Sequence, residues 1–513
     1  MAGSEVAGPT AGTPRASFAA VDLGADSGRV IEGALWDDRL TLTEIHRFPN
    51  VPVAVPEGLR WDVLRLWSEI STGLQRAAHR RNSDGSELRA VGIDTWGVDF
   101  ALLDRHGMLI GNPAHYRDDR TDGMLEEACR VLSRERIYRT TGTQLLPINT
   151  IYQLLSLVRR NSAQLDAADR LLMMPDLFNV WLSGCAATEL SIATTTQCLD
   201  VESRAWATPL LVDLGIPARI FGEIVPAGRV LGHVAGSLGR DAGLERVAVV
   251  ATGSHDTASA AAAVPASGRD FAWLSSGTWS VMGIESPAPI VTDVTMRRDL
   301  SNEAGVAGRW LLLRTMPGMW LLQECRREWA REGEELSYAD LERLAETASP
   351  FASIVDPEAA ALQRPGDMPT LIREFCRSTG QPEPESRGAV VRCALESLAL
   401  QYGQVLDWLE EAAGHKLSSI HIVGGGSQGR LLCQMTADAT SRPCVAGPIE
   451  ATAVGNILVQ AIALGHLAGL DEGREIVRRS LPLRTYEPGA ASGLDEAKAR
   501  FLELTDARRR IVA

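Results

Sequence analysis

Two polar turns in this 513-residue chain carry the residue types that bind phosphate. The first, Asp22-Leu23-Gly24-Ala25-Asp26-Ser27-Gly28-Arg29, lies between the apolar runs Phe18 to Val21 and Val30 to Leu35, so it reads as strand, tight turn and returning strand. Its two glycines are expected to take positive φ and let backbone N–H groups converge on an anion, while Asp22 at the strand end is placed to hold a hydrated cation beside it. The second turn, Leu274-Ser275-Ser276-Gly277-Thr278-Trp279-Ser280, sits between Phe271 to Leu274 and Trp279 to Ile284. One such turn is an ordinary hairpin; two of them predict two halves that face one nucleotide.

A third polar block, Gly253-Ser254-His255-Asp256-Thr257, follows the apolar run Val247 to Ala251 and opens an Ala-rich helix. Such strand-to-helix junctions are where α/β proteins keep chemistry. Asp256 reads as a helix cap or as a general base, and His255 as an orienting or ligand-contacting residue or a satisfied junction histidine. The glycine run Gly424 to Gly429 fits three patterns. As Gly424-x-Gly426-x-x-Gly429 with Glu450 it resembles a dinucleotide fingerprint. As Gly425-x-Ser427-x-Gly429, with His466 and Asp438, it resembles a nucleophile elbow. As close backbone at a helix start it is a purine or phosphate platform, the reading that agrees with the two turns. The chain holds no Gly-x-x-x-x-Gly-Lys-Ser/Thr and no His-Glu-x-x-His.

The elements around these blocks follow from periodicity. Leu40 to Phe48 reads as a third strand, and Asp62 to Arg80 as a helix with Val63, Leu66, Trp67, Ile70 and Leu74 on one face. Ala90 to Ile93 is a buried strand, Asp94-Thr95-Trp96-Gly97-Val98-Asp99 a polar junction, and Phe100 to Leu103 a further strand. In the second half, helices are predicted at about 389–412, 430–439 and 451–464, with a strand from Ser418 to Val423. Pro265 and Gly268 break the Ala-rich helix, which puts a domain boundary between Val264 and Arg269.

With 65 acidic against 51 basic side chains, the net charge of -14 argues against nucleic-acid or membrane-surface binding. The eight cysteines form no CxxC pair, which disfavours a disulfide scaffold or metal cluster and points to a reducing cytoplasm, although Cys376 and Cys393 could meet. Residues 1–16 lack the pattern of a secretory signal and read as a disordered tail. The longest small-apolar run, Ala258 to Val264, is far too short to span a bilayer.

Together these blocks resemble the FGGY carbohydrate kinases, over roughly Phe18 to Leu470. The resemblance rests on the two turns, on Gly92-Ile93-Asp94-Thr95-Trp96-Gly97-Val98-Asp99-Phe100 and on the 253–259 block, with Tyr116-Arg117-Asp118, Met174-Pro175-Asp176 and Val423 to Gly426 in support. It implies an α/β architecture of two ribonuclease H-like domains of the actin/hexokinase type, 17–265 and 269–470, with an interdomain cleft and a C-terminal extension, 471–513. It further implies ATP-dependent phosphorylation of a ketose, L-rhamnulose on its 1-hydroxyl being the expected substrate. Fuculose, ribulose or xylulose is the alternative within the family. A non-transferring actin-like ATPase is the alternative outside it. By the same resemblance Ala25, Asp26, Ser27, Gly28, Arg29 and Thr278 would surround the ATP phosphates, and Gln323 and Gly425 would contact the nucleotide. Gly97, His255, Asp256, Thr257 and Thr315 would bind the sugar, Asp256 being the base, and Asp22 would hold Mg2+ through water. Thr315 stands where the family pattern has an amide, and Gly429 where it has Asn. A monomeric or homodimeric cytoplasmic enzyme is expected.

Overall fold

The computed structural model describes residues 14–83 and 87–512; of the expected 1–16 tail, residues 1–13 lie outside the described residues, and Ala16 already opens the first strand. The chain divides into two compact units that are not continuous in sequence. The first comprises the chain up to Ser267 together with Glu285–Leu312 and Ala451–Leu481; the second comprises Gly268–Ile284, Leu313–Glu450 and the chain from Pro482 onward.

The first unit is built on a sheet whose strands run in the order Arg229–His233, Ala248–Ala251, Leu88–Thr95, Ala16–Leu23, Ser27–Leu35, Leu40–Pro49. Ala248–Ala251, Leu88–Thr95 and Ala16–Leu23 are parallel, and the remaining pairings are antiparallel. The three parallel strands therefore finish at the same edge, which is where the polar junctions fall. The amphipathic helix Val63–Ser83 buries Val63, Leu66, Ile70 and Leu74 in a core shared with Val21, Val30, Val91 and Ile93. Fully buried, each such side chain contributes about 1.5–3 kcal/mol.

The helix Ala451–Ala463 belongs to this unit although it follows almost the entire chain. Asn456 donates to the Asp94 carboxylate and Gln460 to the Ala19 carbonyl at 2.9 Å. Gly455 allows the approach: a Cβ there would stand 1.7 Å from the Ser259 carbonyl oxygen. The next helix, Leu470–Ser480, carries the buried Arg474, which pairs with Glu285 at 3.1 Å and donates to the Ala261 carbonyl at 2.8 Å.

In the second unit the strand Phe271–Ser276 is parallel to Ser419–Val423, and that strand to Cys444–Ala446. Trp279–Ser286 returns antiparallel beside Phe271–Ser276. The 27-residue helix Arg387–Ala413 forms the core of this unit. The Ser386 hydroxyl accepts from Ala389 N–H at its start, and Gly414 ends it in the left-handed conformation (φ 76°). All eight cysteines are free thiols, Cys376 and Cys393 lying close enough for each to shift the ionisation of the other.

Candidate active site

Register brings two acids side by side in the first unit. Asp22 is paired with Asp94 across the parallel strands and with Arg29 across the hairpin. Arg29 Nε donates to Asp22 Oδ2 at 2.9 Å and its Nη2 stands 2.8 Å from the same oxygen. Asp94 is fully buried; burial, then the neighbouring Asp22 charge, raise its pKa well above the ordinary carboxylate range, and its Oδ1 has no hydrogen-bond partner among the described residues. The strand runs one residue past Asp22, and Ser27, Gly28 and Arg29 already belong to the returning strand, which leaves only Gly24, Ala25 and Asp26 as the turn. Asn50 braces it, donating from its side chain to Gly24 O (2.8 Å) and from its backbone to Asp26 O (3.1 Å).

The positive φ expected at Gly24 and Gly28 is not found at either residue. Gly28 is instead needed for space, because a Cβ would lie 2.3 Å from the Phe48 ring. The unusual backbone is at Val98, a β-branched residue at φ 67°. It is held there from both sides: its N–H donates to Thr195 Oγ1 at 3.1 Å, and its carbonyl accepts from Thr150 Oγ1 at 2.6 Å. Gly97 beside it packs on Thr195, whose side chain a Cβ would meet at 3.1 Å. Asp99 anchors the same junction by accepting from Trp61 Nε1 (2.6 Å), Trp96 Nε1 (3.0 Å), Gln153 Nε2 (3.0 Å) and Tyr116 N–H (3.2 Å). Burial nevertheless raises its pKa to about 6.

His255 and Asp256 follow the Ala248–Ala251 strand, and the backbone of His255 is bridged to Thr95. Asp256 is the first residue of the helix Asp256–Ala262 and not its cap; the cap position is His255, whose side chain makes no capping bond. The expectation that Asp256 occupies the cap position is thereby corrected, although its carboxylate still accepts from Thr257. Burial and Asp22 raise the Asp256 pKa, while His255 and hydrogen bonds from Thr257 oppose the rise. Thr257 Oγ1 donates to Asp256 Oδ1 at 3.3 Å. Glu189 fixes the backbone leading into the junction, its Oε2 accepting from Ser254 N–H at 3.1 Å; burial pushes its pKa up to about 7.

In the second unit Gln323 Nε2 donates to Thr278 Oγ1 at 3.1 Å, so two of the expected nucleotide residues are joined. Gly277 O accepts from Met319 N–H at 2.8 Å and Thr278 O from Gly318 N–H at 3.1 Å. Gly424 does take positive φ (80°), and Gly426 packs on Ser276, where a Cβ would meet Oγ at 2.1 Å. A Cβ at Gly425 would meet nothing within 4 Å. Thr315 lies on the strand Trp310–Pro317, in the second unit, whereas Gly97, His255, Asp256 and Thr257 lie in the first. The elbow reading fails on contacts: Ser427 Oγ is spent on the Gly424 carbonyl at 2.7 Å, Asp438 accepts from Gly489 N–H at 2.7 Å, and the His466 ring packs edge-on to Phe18.

Asp94, Asp99, Glu189, Asn50 and Glu303 were not among the expected site residues. Asp94 had a signal, since it closes an apolar strand just as Asp22 does. Glu303, whose Oε2 is 2.9 Å from His255 Nδ1, had none.

Two acids at the ends of parallel strands, a strand-to-helix carboxylate and a glycine-backed turn in each unit define a phosphoryl-transfer enzyme of the actin/hexokinase-type ATPase fold. The chain belongs to the FGGY family of carbohydrate kinases: its N-terminal domain model matches residues 18–263 and its C-terminal domain model residues 272–464. It is 42% identical over 485 residues to a rhamnulokinase of Bacteroides thetaiotaomicron, covering 94% of this chain and 98% of that one. It is likewise 42% identical over 487 residues to a rhamnulokinase of Klebsiella pneumoniae, covering 94% and 96%. Among solved structures it is similar in fold to a ligand-bound xylulose kinase from Lactobacillus acidophilus (TM-score 0.80, 15% identity, 97% of this chain and 98% of that one). Plasmodium falciparum glycerol kinase with ADP is a second (TM-score 0.77, 15% identity, 98% and 99%). No helix among the described residues is long and apolar enough to cross a membrane.

Proposed function

We propose that this chain transfers the γ-phosphoryl group of ATP to the 1-hydroxyl of L-rhamnulose, with Asp256 as the base, working in the cytoplasm as a monomer or homodimer. The observation that carries the chemistry is Asp256 itself: a carboxylate one-third exposed (33%) at a strand-to-helix junction, at the first position of the helix and with the Asp22 and Asp94 carboxyl groups near it. The near full-length identity to rhamnulokinases supports the choice of sugar.

In a largely dissociative transfer the hydroxyl proton leaves late, so the base chiefly aligns the attacking oxygen and accepts the proton at Asp256 Oδ. Its raised pKa suits an acceptor that must hold that proton. Gly97, His255 and Thr257 bind the sugar in this reading, as does Thr315. Ala25 to Arg29 and Thr278 hold the phosphates, and Gln323 and Gly425 the nucleotide. Among the described residues no three His, Cys or carboxylate groups converge to cage a metal. A hydrated Mg2+, which needs only one or two carboxylates besides phosphate oxygens, fits the in-register Asp22–Asp94 pair with its unpartnered Asp94 oxygen. When bound, it would neutralise charge on the transferring phosphates.

A coupled assay of ADP release with L-rhamnulose, L-fuculose, L-ribulose and D-xylulose tests the proposal, L-rhamnulose giving the highest kcat/KM. Asp256→Asn is expected to lower kcat about 100-fold with ketose affinity within a few-fold. Absence of ketose-dependent turnover, or near-normal turnover by Asp256→Asn, overturns it.

A further inference from the structure

The ring of His255 lies between two carboxylates. Its Nδ1 is 2.9 Å from Glu303 Oε2, and its Nε2 is 3.4 Å from Asp256 Oδ1. Both contacts are bent away from a straight hydrogen bond, and Nδ1 and Oε2 have no hydrogen-bond partner among the described residues, so charge rather than hydrogen-bond geometry links the row. Exposure rises along the row, with side chains 8% open at Glu303, 13% at His255 and 33% at Asp256. Only the last is broadly accessible to a substrate. Glu303 is firmly placed, on the buried strand Ser301–Ala304. Its neighbour Asn302 donates from both its backbone N–H (2.8 Å) and its side-chain amide (3.2 Å) to the Gly142 carbonyl, and Ala304 N–H donates to Thr194 Oγ1 at 3.1 Å. His255 is fixed from behind by its N–H donating to Ser191 Oγ at 3.1 Å.

We propose that Glu303 is a positioning residue for the phosphoryl transfer, holding His255 as an imidazolium whose positive charge lies beside Asp256 and favours the ionised form of that carboxylate. This rests on the kinase reading of Asp256 given above. Three acids surround the ring: Glu303, Asp256 and, from the start of the helix Leu190–Thr194, Glu189. Burial alone would push the His255 pKa down; these charges, Glu303 foremost, outweigh it and hold it above the ordinary value. Glu189 spends Oε2 on the backbone N–H groups of Ser254 and Ile192, which leaves Glu303 as the acid in contact with Nδ1. An imidazolium 3.4 Å from Asp256 opposes, without cancelling, the burial and the Asp22 charge that favour its protonation.

The test is a double-mutant cycle on the full chain, with Glu303→Gln, His255→Asn and the pair. Glu303→Gln is expected to lower kcat for the ketose about tenfold with KM changed less than about threefold. In the His255→Asn background the same change is expected to cost less than about twofold, because Glu303 acts through the ring. Independent, multiplicative losses overturn the proposal, as does a folded Glu303→Gln enzyme with full kcat. A second readout needs no turnover: with 15N-labelled histidine, the His255 signal, identified by its absence in His255→Asn, should report an imidazolium at neutral pH and a neutral ring in Glu303→Gln. A neutral ring in the unsubstituted protein, or no change on substitution, also overturns it. Failure of the kinase reading is distinct, since it appears as absence of ketose turnover in the unsubstituted enzyme and leaves the nitrogen signal unaffected.

Discussion

Replacing Asp99 should destabilise the first unit in a way that depends on pH. Its carboxylate collects four donors, from Trp61, Trp96, Gln153 and Tyr116. Asp99→Ala strands all four in the interior, each costing about 1–3 kcal/mol if wholly unpaired. Allowing for water entering the space, a loss of about 4 kcal/mol is expected, which lowers the melting temperature by about 8 °C for a unit of this size. Asp99→Asn keeps one acceptor oxygen but turns an N–H2 toward Gln153, at a cost of about 2 kcal/mol at pH 7. Burial raises the folded pKa of Asp99 from the ordinary carboxylate range to about 6. Between those pH values the folded state holds a proton that the unfolded chain has released, so stability from this group is fully present at low pH and is lost as pH climbs through 6. A displacement of about two pH units is worth about 3 kcal/mol. Asparagine cannot titrate, so the advantage of the natural residue over Asn should widen from about 2 kcal/mol at pH 7 to about 5 kcal/mol at pH 4. Urea unfolding followed by indole emission, which Trp61 and Trp96 report directly, measures it. An Ala variant melting within about 2 °C of the parent, or an Asn difference that is flat with pH, would refute the reasoning.

Other expectations follow from close contacts. Gly455→Ala forces a methyl group into the Ser259 carbonyl and should cost about 3 kcal/mol, read by denaturant midpoint. Gly318→Ala would set a Cβ 2.5 Å from Ser280 Oγ and 2.6 Å from Gly277 O. The displaced turn should raise KM for ATP about tenfold while leaving ketose KM unchanged, measured by steady-state kinetics. Arg474→Leu removes one of the two arginines paired with Glu285, Arg309 remaining, and leaves the Ala261 carbonyl without its guanidinium donor; it should cost about 1–3 kcal/mol by thermal unfolding.

Much of this arrangement was legible because it is local. An apolar run ending in Asp22, or in the Gly253 to Thr257 junction, declares both the strand and the edge at which it stops, and the structure places both there. The long helix Arg387–Ala413 matches its apolar pattern to within a few residues. What was not legible is set by groups distant in sequence. Nothing near Glu303, one acid on a short strand, announces that His255 is its partner. Nothing around Val98 reveals a left-handed backbone, because Thr150 and Thr195 hold it there. Gly28 shows the same limit in reverse: the residue type was informative, but its reason is the Phe48 ring.

The late arrival of the helix Ala451–Ala463 in the first unit bears on how the protein is made. On the ribosome, the strands carrying Asp22 and Asp94 emerge first, and Asn456 and Gln460, which donate to the Asp94 carboxylate and the Ala19 carbonyl, follow much later, 362 residues separating Asn456 from Asp94. The nascent sheet must wait with one face unfinished, exposing Val and Ala side chains to any holdase nearby. A stop codon placed after Pro265 should for that reason yield an insoluble fragment, and supplying 451–481 as a separate peptide should recover part of it.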